Sequence, residues 1–181
     1  ARDVRILNGG VEAWRRAGYP VEAGVRQPVP VDYSARVREE MLASTDYVRS
    51  LAGSRNAALI DVRSRPEFMG EVSGYSYIDA KGRIPGALFA DNADDSALIY
   101  QRSDGSLRDA GEIRTLWRSQ GLLNESGTPE REWIFYCGSG WRSSLAFLYA
   151  HALGFPRIRN YSDGWSGWST VYERAPGLQG S

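Results

Sequence analysis

The sequence predicts an α/β fold, in which a parallel sheet carries helices on both of its faces. Two short apolar runs, at 57–60 and 133–136, have the length and composition of buried strands. Segments with apolar residues at helical spacing separate such runs, and strands separated by helices pair in parallel. Ligands of these sheets bind beyond the carboxyl ends of the strands, so the residues that follow each run are candidates for function.

Caps and apolar runs mark the elements of the first half. Val31 to Arg38 has some extended character. Ser44-Thr45-Asp46 is a helix cap, which predicts a short helix through Leu51 that ends at Gly53. We then predict a buried strand at Ala57 to Ile60 closing on Asp61-Val62-Arg63, one or two helical turns over 65–70, an irregular loop through Arg83, and a strand near Ala87 to Ala90.

The second half shows clearer helical periodicity. Asp109 and Glu112 have the spacing of a capping box, and the apolar residues that follow predict a helix up to Gly121. After it we predict a strand at 133–137, a helix from about 142 to 153, a strand at 157–161 and a last helix from Trp165.

The only cysteine, Cys137, falls where a predicted strand ends and a helix begins. A free cysteine is usually a small buried hydrophobe, but beside a cation at a helix N-terminus its pKa falls from about 8.5 into roughly the 3.5–7.5 range. The backbone N–H groups of the turn Gly138-Ser139-Gly140-Trp141-Arg142 can converge on one point, which suits an anion. Ser143 and Ser144 are expected to begin the helix and can cap it. The position of Cys137 at a helix N-terminus beside an arginine therefore favours a reactive thiolate.

Composition excludes several classes of function. The formal net charge is zero, so we expect no nucleic-acid partner and no anionic membrane partner. No apolar run approaches the ~20 residues that cross a bilayer. One cysteine cannot form an intramolecular disulfide, and one histidine argues against a histidine-rich metal site. We expect a soluble globular protein, in the cytoplasm or the periplasm, that works with one sulfur atom and no cofactor or metal.

An internal repeat joins the two ends of the chain. Val4 to Trp14 aligns without a gap on Ile158 to Trp168, and the identical pairs include a tryptophan. We therefore expect a truncated start, with residues 1–24 as the tail of a preceding module, 25–32 as a linker and 33–175 as a complete module. Prolines and glycines between Tyr19 and Pro30 support the linker.

The order and spacing of several motifs resemble the rhodanese family of sulfurtransferases. The resemblance is greatest to the C-terminal catalytic module of bacterial enzymes of the thiosulfate or 3-mercaptopyruvate type, which contain two or three rhodanese domains. The motifs are Asp61-Val62-Arg63, Glu67-Phe68, Gly82-Arg83-Ile84-Pro85-Gly86-Ala87, Cys137 through Arg142, and Asp163-Gly164-Trp165 with Trp168.

This resemblance implies a rhodanese-like fold and a ping-pong reaction. Cys137 attacks the outer sulfur of a small anionic donor, becomes a persulfide and passes the sulfur to an acceptor such as cyanide or a protein. Residues 138–142, Gly138-Ser139-Gly140-Trp141-Arg142, would bind substrate, and Arg142 would bind the donor's anionic part or orient the loop. Asp61 and Arg63 would support the site from behind, as a salt bridge or in a catalytic role. The preceding rhodanese module is an expected partner.

Alternatives to this reaction remain. The module could be a persulfide carrier or docking domain with little turnover of small donors. Phosphatases of related fold have a cysteine–arginine loop one residue longer than the four residues here, so a phosphatase or arsenate reductase is the lesser hypothesis. Glu67 stands where animal thiosulfate enzymes carry a substrate-binding arginine. Thiosulfate, mercaptopyruvate and protein persulfides therefore all remain candidate sulfur donors. Trp141 is expected to cover the thiol or to pack against another domain, and His151 is expected to be packed or at the surface.

Overall fold

The computed structural model describes residues 5–32, 34, 36–90 and 99–173, with the backbone alone at 171–173. Within this part of the chain there are four strands, which form one sheet, and six α-helices. The helices are α1 (Gly10–Arg16), α2 (Thr45–Leu51), α3 (Arg65–Met69), α4 (Ala110–Ser119), α5 (Trp141–Ala152) and α6 (Gly164–Glu173). The strands are β1 (Ala57–Asp61), β2 (Leu88–Phe89), β3 (Glu132–Tyr136) and β4 (Ile158–Asn160).

All strand pairs are parallel, in the order β2-β1-β3-β4. β1 and β3 lie side by side along their whole length, and Asp61 is opposite Tyr136 at their carboxyl ends. The predicted α/β fold with a parallel sheet is therefore confirmed. Cys137, the next residue after β3, lies at the carboxyl edge, where ligands of parallel sheets bind.

Apolar cores cover both faces of the sheet because successive side chains of β3 point in opposite directions. Trp133 and Phe135 join the core under α4 and α5, and Ile134 and Tyr136 join the core under α2 and α6. Each fully buried large side chain contributes about 1.5–3 kcal/mol of transfer free energy. A packed apolar core on each face of the sheet thus supports the edge at which Cys137 lies.

The start of α5 lies one residue before the predicted start at about 142, but the prediction that Ser143 and Ser144 cap the helix was wrong. The helix begins at Trp141 and its N-cap is Gly140, which has a φ of 85°. A Cβ at this glycine would lie 2.7 Å from the carbonyl oxygen of Ser162, so a side chain does not fit there. Ser143 and Ser144 lie inside the first turn, and their hydroxyls donate back to the carbonyls of residues 140 and 141. The described residues of 31–38 form no strand.

The two copies of the predicted repeat share a backbone feature. Gly10 begins α1 with a φ of 60°, and its counterpart Gly164 begins α6 with a φ of 56°. The burial of the aligned side chains differs: Trp14 is 37% exposed, whereas Trp168 is 5% exposed. Val4, at the start of the first copy, lies outside the described residues.

The N-terminal segment contacts the rest of the chain at the loop before α4. Arg16 donates to the carbonyl of Asp104 (2.9 Å), and the Leu107 N–H donates to the Asn8 side chain (2.7 Å). The division into a tail at 1–24, a linker at 25–32 and a module at 33–175 stays a prediction, and residues 33, 35, 91–98, 174 and 175 of that module are outside the described part. No described helix is both long enough and apolar enough for a transmembrane span.

Candidate active site

Cys137 is fully buried at the end of β3. Its carbonyl accepts a hydrogen bond from the Trp165 N–H (2.8 Å), and the carbonyl of Gly138 accepts one from the Ser166 N–H (2.9 Å). The first turn of α6 therefore holds the two residues that begin the loop. The N–H groups at the start of α5 have no partner within the helix. Within the described part, no backbone carbonyl accepts from the N–H groups of Ser139, Gly140 or Trp141.

Tyr75 covers the start of this loop. Its hydroxyl accepts a hydrogen bond from the Gly138 N–H (3.0 Å), and a Cβ at residue 138 would collide with the tyrosine ring. Tyr77 lies beside it at a centroid distance of 5.3 Å, and its hydroxyl is 3.2 Å from that of Ser139. A side chain at position 138 therefore fits only if the ring of Tyr75 moves.

Arg142 is paired with Glu67 of α3. Its Nη1 donates to Glu67 Oε2 (2.9 Å) and its Nη2 to Glu67 Oε1 (2.7 Å), so the pair is bidentate. The guanidinium also donates to the hydroxyl of Tyr75 and lies over its ring, 5.2 Å from the centroid. The side chain of Glu67 is 4% exposed and that of Arg142 is 27% exposed. The charge of Arg142, which was predicted to bind the donor or to orient the loop, is therefore neutralised by the carboxylate of Glu67.

All three ionisable groups of this cluster have perturbed pKa values. Burial opposes the charged form of Arg142, but its hydrogen bonds to Glu67 outweigh burial and raise the pKa of Arg142. Burial opposes ionisation of Glu67, but hydrogen bonds from Arg142 and Ser64 outweigh it and lower the pKa of Glu67. Burial, together with the negative charge of Cys137, raises the pKa of Tyr75 to about 12. The cluster at neutral pH is therefore a carboxylate, a guanidinium and a neutral phenol. The phenol oxygen takes two hydrogen bonds that an anionic oxygen could also accept.

Asp61 and Arg63 form a fully buried salt bridge, with 2.7 Å between Arg63 Nη2 and Asp61 Oδ2. Arg63 also donates to the carbonyl of Gly82 and lies over the ring of Trp165, 5.2 Å from its centroid. Because Trp165 holds the carbonyl of Cys137, this pair supports the loop from behind. Its charges cancel, so it adds no net charge beside the thiol.

Trp141 and His151 are both exposed. The indole of Trp141 is 85% exposed, so it neither covers Cys137 nor packs against a described part of the chain. His151 is exposed near the end of α5, and its ring stacks on Phe147 at a centroid distance of 6.1 Å. The surface alternative predicted for His151 is confirmed.

Sequence reasoning brought out the thiol and its loop but missed the partners from the irregular segment. Tyr75 and Tyr77 lie between α3 and β2, where no periodicity marks them. The pairing of Glu67 with Arg142 was also missed. The one sequence signal for an approaching side chain is the glycine directly after Cys137, which leaves room for a ring.

A model of the rhodanese-like domain matches residues 44–170, which include every residue of this site. The chain belongs to the rhodanese-like family. A thiosulfate sulfurtransferase of Escherichia coli strain K12, YnjE, is 37% identical over 175 residues, which are 93% of this chain and 39% of that protein. A probable 3-mercaptopyruvate sulfurtransferase of Pseudomonas aeruginosa is 31% identical, over 92% of this chain and 55% of that protein.

Two more similar proteins are a sulfur carrier protein and a protein solved with ergothioneine. The sulfur carrier protein TtuD of Thermus thermophilus is 29% identical, over 94% of this chain and 60% of that protein. A solved structure of EanB, in a persulfide form with ergothioneine, has 38% identity and a TM-score of 0.82, over 94% of this chain and 40% of that chain. This rhodanese-like chain spans between 39% and 60% of the length of these relatives.

Proposed function

We propose that the protein is a sulfurtransferase that carries sulfane sulfur on Cys137. The observation that carries the proposal is the position of one thiol at the carboxyl edge of a parallel sheet, beneath a turn whose N–H groups lie at a helix N-terminus. A helix N-terminus favours a negative charge by about 0.3–1 kcal/mol, and up to about 2 kcal/mol where it is partly buried. The same N–H groups serve both anions of the reaction, the thiolate and the persulfide.

The proposed reaction needs no external oxidant or reductant. The Cys137 thiolate attacks the outer sulfur of the donor, so a bond forms between Sγ and that sulfur. With thiosulfate, the bond to the central sulfur breaks and sulfite leaves with the electron pair. An acceptor anion then attacks the terminal sulfur of the persulfide and regenerates the thiolate. Covalent catalysis of this kind gives ping-pong kinetics.

Kinetics test the proposal. We expect thiosulfate and cyanide to give thiocyanate with parallel double-reciprocal plots, and Cys137→Ser to abolish the reaction. Ser144→Ala is the matched control, because that hydroxyl donates to a helix carbonyl (2.7 Å) on the exposed side of α5. Intersecting plots, or turnover that survives in Cys137→Ser, would contradict the proposed function.

A heterocyclic acceptor is a second candidate for the other half-reaction. EanB has been solved with hercynine and with ergothioneine, and a persulfide form with ergothioneine is among those structures. Trp141 belongs to this loop, the Tyr77 hydroxyl lies 3.2 Å from that of Ser139 in it, and both rings are exposed, so they offer faces to a cationic ligand. We would test it by adding hercynine to protein already loaded with sulfur and following ergothioneine by mass spectrometry. Sulfur that leaves with cyanide but never with hercynine would reject this acceptor.

The carrier alternative is supported by the similarity to TtuD and by the full burial of Cys137. A carrier takes sulfur from a persulfidated protein and turns over small donors slowly, so a comparison of the two loading rates decides between them. The phosphatase alternative is disfavoured, because the arginine that would bind phosphate is paired with Glu67.

A further inference from the structure

The charges around Cys137 differ from those expected of a site for a dianion. Arg142 is the cation of the loop, and Glu67 holds it in a bidentate pair with an N–O distance of 2.7 Å. Asp61 and Arg63 neutralise each other behind the loop. Once Cys137 ionises, the sum of these five charges is negative.

Two hydrogen-bond donors of the loop are also occupied. The hydroxyl of Tyr75 accepts from the Gly138 N–H and from Arg142, which are the donors that an oxyanion of the substrate would use. At neutral pH this hydroxyl is uncharged. A donor that carries a second negative charge must displace the phenol or do without these hydrogen bonds, and it meets an arginine whose charge is already balanced.

We propose that Glu67 sets the donor specificity of the site, and that it favours sulfane donors with a single negative charge over dianionic thiosulfate. This inference rests on the proposed sulfur transfer. Glu67 acts through Arg142, so it is a specificity residue and not a participant in bond formation. Its carboxylate also accepts from Ser64, which fixes it in place: the Ser64 N–H and hydroxyl lie 3.0 and 2.7 Å from Oε2.

Methanethiosulfonate and thiosulfate make a matched pair of donors, because a methyl group replaces one anionic oxygen. The reactions are otherwise alike: the thiolate takes the outer sulfur, and methanesulfinate or sulfite leaves with the electron pair. In a ping-pong reaction, kcat/KM for the donor reports the first half-reaction alone. We would measure both values by thiocyanate formation with cyanide.

The decisive variant is Glu67→Gln, which keeps an oxygen for Ser64 but removes the negative charge. We expect kcat/KM for thiosulfate to rise about tenfold relative to methanethiosulfonate, since a charge beside a partly buried arginine is only moderately screened. The matched control is Glu132→Gln. That residue pairs with Arg159 at 2.7 Å at the amino edge of the sheet, and its loss should leave the donor ratio unchanged.

The salt dependence of the unmodified protein gives a second measurement that does not depend on how the variant folds. Attraction of a dianion by an unbalanced arginine would make kcat/KM for thiosulfate fall as salt rises. We expect kcat/KM for thiosulfate to stay constant or to increase as the salt concentration rises. A steep fall, or a donor ratio that is the same in Glu67→Gln, would overturn the inference. If neither donor loads sulfur onto Cys137 at all, it is the proposed function that fails.

Discussion

Two clusters of glutamate, arginine and tyrosine lie at opposite edges of the same sheet. At the carboxyl edge, Arg142 pairs with Glu67 and lies over Tyr75 at 5.2 Å. At the amino edge, Arg159 pairs with Glu132 and lies over the ring of residue 47 at 4.8 Å. The N–O distance is 2.7 Å in both pairs.

The clusters differ in what surrounds them. The Tyr47 hydroxyl donates to Glu132, and Arg159 donates to the carbonyls of residues 39 and 42. The amino-edge cluster therefore binds neighbouring segments of the chain to one another. The Tyr75 hydroxyl instead accepts from the N–H of Gly138, next to the buried thiol. The same three residue types join neighbouring segments at one edge and lie beside the candidate reactive thiol at the other, because the parallel sheet places Cys137 at one edge only.

Substitution of the arginine should give the largest difference in activity between the two clusters. Arg142→Gln leaves Glu67 nearly buried and unpaired beside the thiolate, which repels the donor. We expect kcat/KM for either donor to fall about 100-fold, which corresponds to about 2.7 kcal/mol. The free energy of unfolding should fall by about 2 kcal/mol, below the 3–5 kcal/mol of a fully buried pair, because Arg142 is partly exposed.

Arg159→Gln is the control for that variant. We expect urea unfolding to show a loss of about 1–2 kcal/mol and the kinetics to be unchanged, since this pair is distant from the carboxyl edge. Equal losses of activity in the two variants would show that both pairs act only through stability.

Removal of the tyrosine hydroxyls should have a smaller effect. Tyr75→Phe keeps the ring over Gly138 but removes the hydroxyl that accepts from the Gly138 N–H, so this N–H becomes available to an anion and the KM for thiosulfate should fall about threefold. Stability should fall by about 1 kcal/mol, the net value of a typical hydrogen bond. Tyr47→Phe should lose a similar amount of stability and leave the KM as it was. A higher KM in Tyr75→Phe would mean that the hydroxyl assists donor binding.

The pH dependence of stability should show the smallest effect. The folded-state pKa of Glu67 is lowered, so its contribution is complete above the unfolded value of about 4.3 and is lost as pH falls through the folded value. The difference in unfolding free energy between the unmodified protein and Glu67→Gln should be constant near neutral pH, at about 1 kcal/mol, and shrink below about pH 4.3. A difference that grows on acidification would contradict the lowered pKa.

The elements of regular spacing were predictable from the sequence, and the irregular contacts were not. The apolar runs and caps predicted β1, β3, α2 and α4, and Cys137 was placed at the correct edge because strand ends are local features. Tyr75 reaches residue 138 from a loop without periodicity, so no spacing connects the two. The N-cap of α5 was missed because a left-handed glycine at 140 replaced the usual serine, for reasons of space beside Ser162.

The mass of the intact protein after exposure to a donor tests the central claim most directly. The chain has one cysteine, so the account predicts that methanethiosulfonate adds the mass of one sulfur atom, that cyanide removes it, and that Cys137→Ser gains nothing. If the unmodified protein gains no sulfur from this donor, from thiosulfate or from a persulfidated protein, or if Cys137→Ser gains as much as the unmodified protein, then Cys137 does not carry sulfur and the account is wrong.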